Sequence, residues 1–175
     1  MVDFNSIPTG KKPPEDLYVL IEVPKGCPIK YEFDKDLGML VVDRYLHSPL
    51  FYPGDYGTIA QTLCGDGDPL DALVIVSSPG NMGTLVRVRP IGVLEMEDEK
   101  GKDDKLICVP IKDPRWDHVK DIKDLPDHFV KEIAHFFETY KALEPKKWVK
   151  IKETKGAKEA KKVVLESIEM YKKGE

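Results

Sequence analysis

Residues 65–76 read Gly-Asp-Gly-Asp-Pro-Leu-Asp-Ala-Leu-Val-Ile-Val, a turn that runs directly into an apolar strand. Glycine, aspartate and proline in close alternation favour a tight turn. The apolar run from Leu70 to Val76 has the length of a buried strand. Five comparable runs occur before residue 115. Together the predicted strands cover residues 18–23, 30–33, 40–44, 70–76, 85–88 and 106–109.

After Pro126 the apolar residues recur with a helical period. The first predicted helix carries a single apolar stripe, which consists of Phe129, Ile133, Phe136, Phe137 and Tyr140. Asp124 stands where it could cap the start of this helix. A second helix is predicted over residues 155–172, with its apolar side chains on one face.

Short strands followed by two helices indicate an α+β fold that is mainly β. We expect a closed β-barrel with the two helices packed on its outside. Residues 34–38 predict a hairpin connection in which Gly38 supplies the positive φ. No internal repeat or linker interrupts the 175 residues, so residues 1–175 are expected to form a single domain.

The composition excludes several classes of protein. Lysine and arginine number 27 against 31 acids, a net charge of −4 that is unfavourable for sequence-independent binding to nucleic acid. No stretch is long and apolar enough to cross a membrane, and no signal peptide is visible. Three cysteines without a CxxC pair favour a reducing compartment. We therefore expect a cytoplasmic protein with no nucleic-acid or membrane partner.

The acidic turn carries the strongest chemical signal. Asp66, Asp68 and Asp71 lie within six residues, and carboxylates held this close repel one another unless a cation intervenes. Carboxylate oxygens with no histidine nearby suit hard ions such as Mg²⁺ or Mn²⁺. A calcium loop would need glycine and glutamate where Asp71 and Ser77 stand, so the EF-hand interpretation fails. The alternative is an ordinary surface turn, which the same residue types also favour.

A second acidic block, residues 95–104, reads Glu-Met-Glu-Asp-Glu-Lys-Gly-Lys-Asp-Asp. Taken alone, such a mixed-charge run is more typical of a solvated hairpin. Together the two blocks could supply ligands for two or more metal ions from adjacent loops of the barrel. Because magnesium is commonly shared with phosphate oxygens, this combination indicates phosphoryl chemistry.

Phosphoryl chemistry also requires cations and hydroxyls that hold phosphate oxygens. The candidates are Lys30, Glu32, Arg44, Tyr52, Tyr56, Tyr140 and Lys141. Strand alternation predicts that Lys30 and Glu32 share one face, opposite Tyr31. Each cation alone is as easily a solvated surface residue, and Tyr140 is as easily a core aromatic.

At this point the residues resemble a known family. Asp66-Gly67-Asp68-Pro69-Leu70-Asp71 with Ala72 is similar to the signature of family I soluble inorganic pyrophosphatases in their bacterial and archaeal short form. Further similar segments occur on both sides of this signature, in the same order as in the family. The resemblance extends roughly from residue 17 to 171. These segments are 22–24, 30–32, 42–44, 51–57, 89–93, 133–137 and 140–141.

The resemblance implies a five-stranded, OB-like closed barrel. It also implies magnesium-dependent hydrolysis of pyrophosphate to two orthophosphates, by in-line attack of a metal-bridged water or hydroxide. Several Mg²⁺ ions per active site are expected, with Mn²⁺ or Zn²⁺ as possible substitutes. A homohexamer is implied in the same way.

Residue roles follow from the resemblance position by position. Asp66, Asp71 and Asp103 would bind the first activating metal, with Asp71 shared by a second. Asp98 and Asp103 would bind a metal that arrives with the substrate, and Glu32 a further one. The phosphates would be held by Lys30, Arg44, Lys105, Tyr56, Tyr140 and Lys141. Arg44 and Tyr56 are also expected to act in catalysis. Glu22, Asp68 and Glu99 would complete the acidic wall.

Asp68 is the acid of the turn that is least suited to tight metal binding, because Asp66 and Asp71 suffice to clasp an ion. We expect Asp68 to face the attacking water and to accept its proton as a general base. The competing interpretation is that Asp68 binds backbone amides and shapes the turn.

Two other functions remain open at this stage. An OB-like barrel could bind nucleic acid, although the clustered acids oppose this. Alternatively, the chain could be a metal-dependent phosphohydrolase of a larger polyphosphate substrate, although no nucleotide-binding glycine loop is present.

Overall fold

A computed structural model describes residues 3–174 of the chain. The strands are β1 (Leu17–Val23), β2 (Ile29–Asp34), β3 (Met39–Tyr45), β4 (Asp55–Thr58), β5 (Asp71–Val74), β6 (Leu85–Asp98), β7 (Gly101–Lys102), β8 (Lys105–Pro110) and β9 (Val149–Gly156). The helices are α1 (Asp127–Thr139) and α2 (Ala157–Lys173). Short 3₁₀ helices cover Phe4–Ser6, Pro114–Trp116 and Ile122–Asp124. Within residues 3–174, neither α-helix is long and apolar enough to cross a membrane.

Five strands pair in a closed ring. β1 is antiparallel to both β4 and β6, β4 is antiparallel to β5, β5 is parallel to β8, and β8 returns antiparallel to β6. The β2–β3 hairpin forms a separate two-stranded sheet, with Gly38 at φ +63° in its turn. The prediction of a mainly β, closed arrangement with two helices is therefore confirmed.

The strands of the ring are apolar on both faces. In β5, Ala72 packs in a cluster with Val164 of α2, whereas its neighbour Leu73 packs in the cluster that contains Phe137 of α1. Side chains on a strand point alternately to opposite faces, so each helix covers a different face of the same strand. Complete burial of Ala72 and Leu73 follows from this arrangement.

Two local predictions were wrong. Asp124 does not cap α1, because its carboxylate accepts the backbone N–H groups of Lys120 and Asp121 at 2.8 and 2.9 Å and so closes the preceding 3₁₀ turn. α1 begins directly after Pro126 without a side-chain cap. The strand predicted over residues 85–88 is longer in the structure. It is β6, which extends to Asp98 because its pairing with β8 and β9 continues past the irregularity near Pro90.

Candidate active site

One cavity of about 320 Å³ lies between the ring and the β2–β3 hairpin. The structure places on its wall all fourteen residues to which the resemblance assigns a role. They are Glu22, Lys30, Glu32, Arg44, Tyr56, Asp66, Asp68, Asp71, Asp98, Glu99, Asp103, Lys105, Tyr140 and Lys141. With Lys35, Asp43, Lys100 and Lys147, the wall carries nine carboxylates and seven cationic side chains. The cavity therefore combines ligands for cations with ligands for anions.

The two acidic blocks meet because β5 and β8 are parallel neighbours. Asp71 begins β5 and stands in register with Lys105 at the start of β8, so the turn before each strand lies at the same edge of the sheet. In the first turn Asp66 accepts the backbone N–H of Asp68 at 3.1 Å. Gly67 has a φ of +87°, which a residue with a side chain rarely adopts. This turn directs the carboxylates of residues 66 and 71 to one side.

Lys105 lies between two of the predicted metal ligands. Its Nζ donates to Asp71 at 2.7 Å and also contacts Asp103, and its side chain is only 3% exposed. Burial alone would lower the pKa of Lys105, but the two carboxylates raise it well above its usual value. The buried side chain is therefore a permanent cation at neutral pH.

Tyr56 contacts the Asp71 carboxylate from β4, the strand that pairs antiparallel with β5. Its hydroxyl donates to Asp71, and its ring is buried beside Phe137. The next residue, Gly57, allows β4 to lie close to β1, since a Cβ there would stand 1.9 Å from the carbonyl oxygen of Leu20. Tyr56 itself lines the cavity.

Three carboxylates on the cavity wall, Glu22, Asp66 and Asp103, lie in surroundings that disfavour their negative charge. Burial raises the pKa of Asp103 and repulsion from Asp71 adds to it, although the charge of Lys105 acts in the opposite direction. Burial and neighbouring carboxylates likewise raise the pKa of Asp66. Burial, followed by repulsion from Asp71, raises the pKa of Glu22 to about 8. Uncompensated carboxylates of this kind are stabilised by a bound cation.

Lysine ammonium groups, those of Lys105 and Lys141, lie between the carboxylates of the cavity. Among residues 3–174, no three acidic, histidine or cysteine side chains are grouped closely enough to coordinate one ion. At the centre of the cavity, the ammonium group of Lys105 contacts both Asp71 and Asp103 and occupies the space between their carboxylates. The donor set, composed of oxygens alone, nevertheless fits a hard divalent ion.

The second acidic block is balanced by cations. Lys141, 4% exposed, donates to Asp98 at 2.7 Å and to Glu99 at 3.2 Å. Lys147 donates to Glu99 at 2.6 Å. Although burial opposes it, hydrogen bonding from Lys147 and the charge of Lys141 lower the pKa of Glu99 to about 2. Asp98 and Glu99 are therefore ionised and paired with lysine side chains.

The β2–β3 hairpin forms the opposite wall. Lys30 and Glu32 contact each other and both line the cavity, whereas Tyr31 packs against the core, as strand alternation predicts. Lys30 also lies 3.8 Å from Asp43. Arg44 donates from Nε to Glu144 at 2.8 Å.

Several residues are placed differently from the sequence analysis. Tyr52, a candidate for phosphate binding, is 2% exposed within an aromatic cluster and does not line the cavity. Asp68 lies at the rim with a side chain 61% exposed, 3.6 Å from Lys100. Sequence reasoning missed Asp43 and Lys147, although the first adjoins Arg44 and the second lies within the segment that follows Lys141.

The chain is similar to known proteins over nearly its whole length. The family model described as inorganic pyrophosphatase matches residues 19–172. An inorganic pyrophosphatase of Aquifex pyrophilus is 50% identical over 98% of both chains. One from Thermus thermophilus is 51% identical over 98% of this chain and 99% of the relative.

Solved structures show the same similarity. The crystal structure of inorganic pyrophosphatase from Thermus thermophilus superposes with a TM-score of 0.95 at 50% identity, covering 98% of this chain and 99% of that one. The Helicobacter pylori inorganic pyrophosphatase gives a TM-score of 0.91 at 46% identity, covering 95% and 99%. With nearly full-length similarity in both sequence and structure, the chain belongs to the inorganic pyrophosphatase family.

Proposed function

We propose that this protein hydrolyses inorganic pyrophosphate to two orthophosphates. The observation that carries the proposal is a cavity in which nine carboxylates and seven cationic side chains face one another. Its volume of about 320 Å³ lies at the small end of ligand pockets, which favours a compact substrate over a nucleotide or a long polyphosphate.

The proposed cofactor is Mg²⁺, with several ions in one site. Asp66, Asp71 and Asp103 are assigned to the first ion by resemblance to the family. Their carboxylates line one cavity, where burial and neighbouring carboxylates raise the pKa of Asp66 and Asp103. Glu32 and Asp98 are assigned to further ions. When bound, divalent ions neutralise phosphate oxygens and lower the pKa of water, which supplies a nucleophile at neutral pH.

The cationic side chains are assigned to the substrate. Lys30 and Arg44 on the hairpin and Lys141 after α1 reach the cavity from different elements, so they can hold both phosphoryl groups in line. Lys105, Tyr56 and Tyr140 would complete this set. Cations placed around the leaving group take up the charge that develops when the bridging P–O bond breaks.

Asp68 is assigned as the general base. Water attacks phosphorus, its proton passes to Asp68, and the electron pair of the bridging bond leaves with the departing phosphate. Among the hydrogen bonds of residues 3–174, none is donated to the Asp68 carboxylate, and its place on the cavity wall supports a role as proton acceptor. Glu22 and Glu99 are assigned to the supporting acidic wall.

We extend the proposal to assembly and location. Each protomer is taken as one domain over residues 1–175, six of which form a homohexamer by resemblance to the family. Exposed apolar side chains on the hairpin, among them Met39, Val42 and Tyr45, support an interface between copies. The free Cys27, Cys64 and Cys108 suit the cytoplasm. Light scattering coupled to size exclusion would measure the assembly.

The decisive assay compares phosphate release from pyrophosphate and from ATP, with Mg²⁺ as the sole metal. We expect rapid release from pyrophosphate, little from ATP, and none when a chelator removes the metal. Comparable turnover of ATP would favour the larger-substrate phosphohydrolase. No release from either, together with salt-sensitive binding to single-stranded DNA, would favour the nucleic-acid-binding barrel.

A further inference from the structure

Glu144 is a buried acid that does not line the cavity. It lies in the segment after α1, and its side chain is 6% exposed. Glutamate is rarely buried to this degree unless it is paired. Its partner is Arg44 of β3, whose Nε donates to Oε1 at 2.8 Å across 100 residues of sequence. The pair therefore joins the segment after α1 to the β2–β3 hairpin.

Arg44 is held on three sides. Nε is bound by Glu144, Nη1 contacts the carboxylate of Asp43, and the guanidinium carbon lies 5.9 Å from the centre of the Tyr140 ring. A guanidinium has five N–H donors in a fixed plane. Among the hydrogen bonds of residues 3–174, Nη2 of Arg44 donates none, and Arg44 lines the cavity.

The same segment also carries two predicted substrate ligands. Tyr140 and Lys141 line the cavity, and the backbone N–H of Glu144 donates to the carbonyl of Lys141 at 3.0 Å. Ser48, just after β3, donates to the carbonyl of Tyr140 at 3.4 Å, which is a weaker link between the same two parts. Unlike the Ser48 link, the hydrogen bond to Glu144 involves the guanidinium itself, against which the Tyr140 ring also lies.

We infer that Glu144 is a positioning residue that sets the plane of the Arg44 guanidinium and directs its Nη2 toward a phosphate oxygen of the substrate. The inference rests on the proposed function, which assigns Arg44 to pyrophosphate. A carboxylate on Nε restricts rotation of the guanidinium, and recognition of phosphate by arginine depends on that orientation. Glu144 itself contacts no substrate.

The test is a double-mutant cycle on pyrophosphate hydrolysis, using Glu144→Ala, Arg44→Ala and the double variant. Glu144→Ala should lower kcat/KM about 10- to 100-fold, the usual effect of losing a residue that orients a ligand. In the Arg44→Ala background, Glu144→Ala should lower kcat/KM less than about threefold, because the effects of two residues that act through one contact are not additive. Glu144→Gln retains an oxygen acceptor for Nε and should recover most of the activity.

A purely structural role would give a different result. Equal losses in the two backgrounds would overturn the inference, since Glu144 would then act on the fold or on other ligands. If Glu144→Ala does not fold, the cycle is run with Glu144→Gln, whose smaller loss must also vanish in the Arg44→Ala background. Glu169→Ala, an exposed glutamate paired with Lys172 at 3.1 Å, is the matched control and should be silent. An inactive unsubstituted chain would instead refute the proposed function, and the inference with it.

Discussion

The Nζ atom of Lys105 lies 2.7 Å from an Asp71 carboxylate oxygen at the centre of the cavity and also contacts Asp103. An ammonium thus neutralises the carboxylates that the proposed function assigns to a metal ion. Lys105 is 3% exposed, so the contact is poorly screened by solvent. Divalent metal and Lys105 should therefore compete for Asp71 and Asp103.

Replacing Lys105 with methionine should make the metal-free protein markedly less stable. Removing one partner of a buried ion pair costs roughly 3–5 kcal/mol, which corresponds to a Tm lower by roughly 6–20 °C for a domain of this size. Magnesium should then raise the Tm of the variant more than that of the unsubstituted chain. Thermal denaturation with a chelator and across a Mg²⁺ titration measures both effects.

Lys172→Met is the control for this experiment, because Lys172 forms an exposed pair with Glu169. It should leave both the Tm and its dependence on magnesium almost unchanged. An identical magnesium response in Lys105→Met and the unsubstituted chain would show that Lys105 and the metal do not compete.

Asp71→Asn should abolish most activity while the fold is retained. Asparagine keeps the volume of the side chain and one oxygen acceptor for Tyr56 and Lys105, but it removes the charge that a metal ligand requires. We expect kcat at saturating Mg²⁺ to fall at least about 100-fold, the scale of losing one electrostatic contact to a transition state. Circular dichroism should remain unchanged, and a near-normal rate would move the metal site elsewhere.

Asp68→Asn separates the catalytic from the structural role of this acid. Loss of a general base should lower kcat roughly 10²–10⁴-fold and alter the acidic limb of the pH–rate profile. Because Asp68 is exposed, the free energy of unfolding should change by no more than about 0.5 kcal/mol, and magnesium affinity should persist. A combined loss of magnesium affinity, Tm and activity would instead assign Asp68 to the scaffold.

Glu22 should make the metal-free protein less stable as the pH rises. Burial and repulsion from Asp71 raise its pKa from 4.5 to about 8, so the folded state keeps a proton that the unfolded chain releases. The contribution of Glu22 to the free energy of unfolding is therefore fully present below pH 4.5 and is lost progressively as the pH rises to about 8. Glutamine remains neutral and can still accept the N–H of Phe33, which Glu22 binds at 2.9 Å.

Glu22→Gln should therefore be more stable than the unsubstituted chain at pH 8, by an amount on the order of a few kcal/mol, and the difference should shrink toward pH 5. Urea denaturation in the presence of a chelator at several pH values measures it. A difference that does not vary with pH would mean that Glu22 is ionised in the folded protein.

Local chemistry was sufficient to predict much of the architecture. The apolar runs around Leu20, Val41 and Ile107 lie in strands, and the stripe through Ile133 and Phe137 is helical, because burial follows the period of the side chains. β4 was missed because Asp55–Thr58 has no apolar run, and its strand depends on pairing with β1 and β5. No local pattern can reveal such pairing.

The sequence by itself determined that two acidic blocks and a set of scattered cations exist, and the two blocks together indicated metal binding and phosphoryl chemistry. Only the tertiary structure decided which charges meet. The parallel pairing of β5 and β8 brings Asp71 beside Lys105, and the segment after α1 places Glu144 on Arg44, 100 residues away. Contacts between residues so distant in sequence depend on strand register and chain reversal, which no motif encodes.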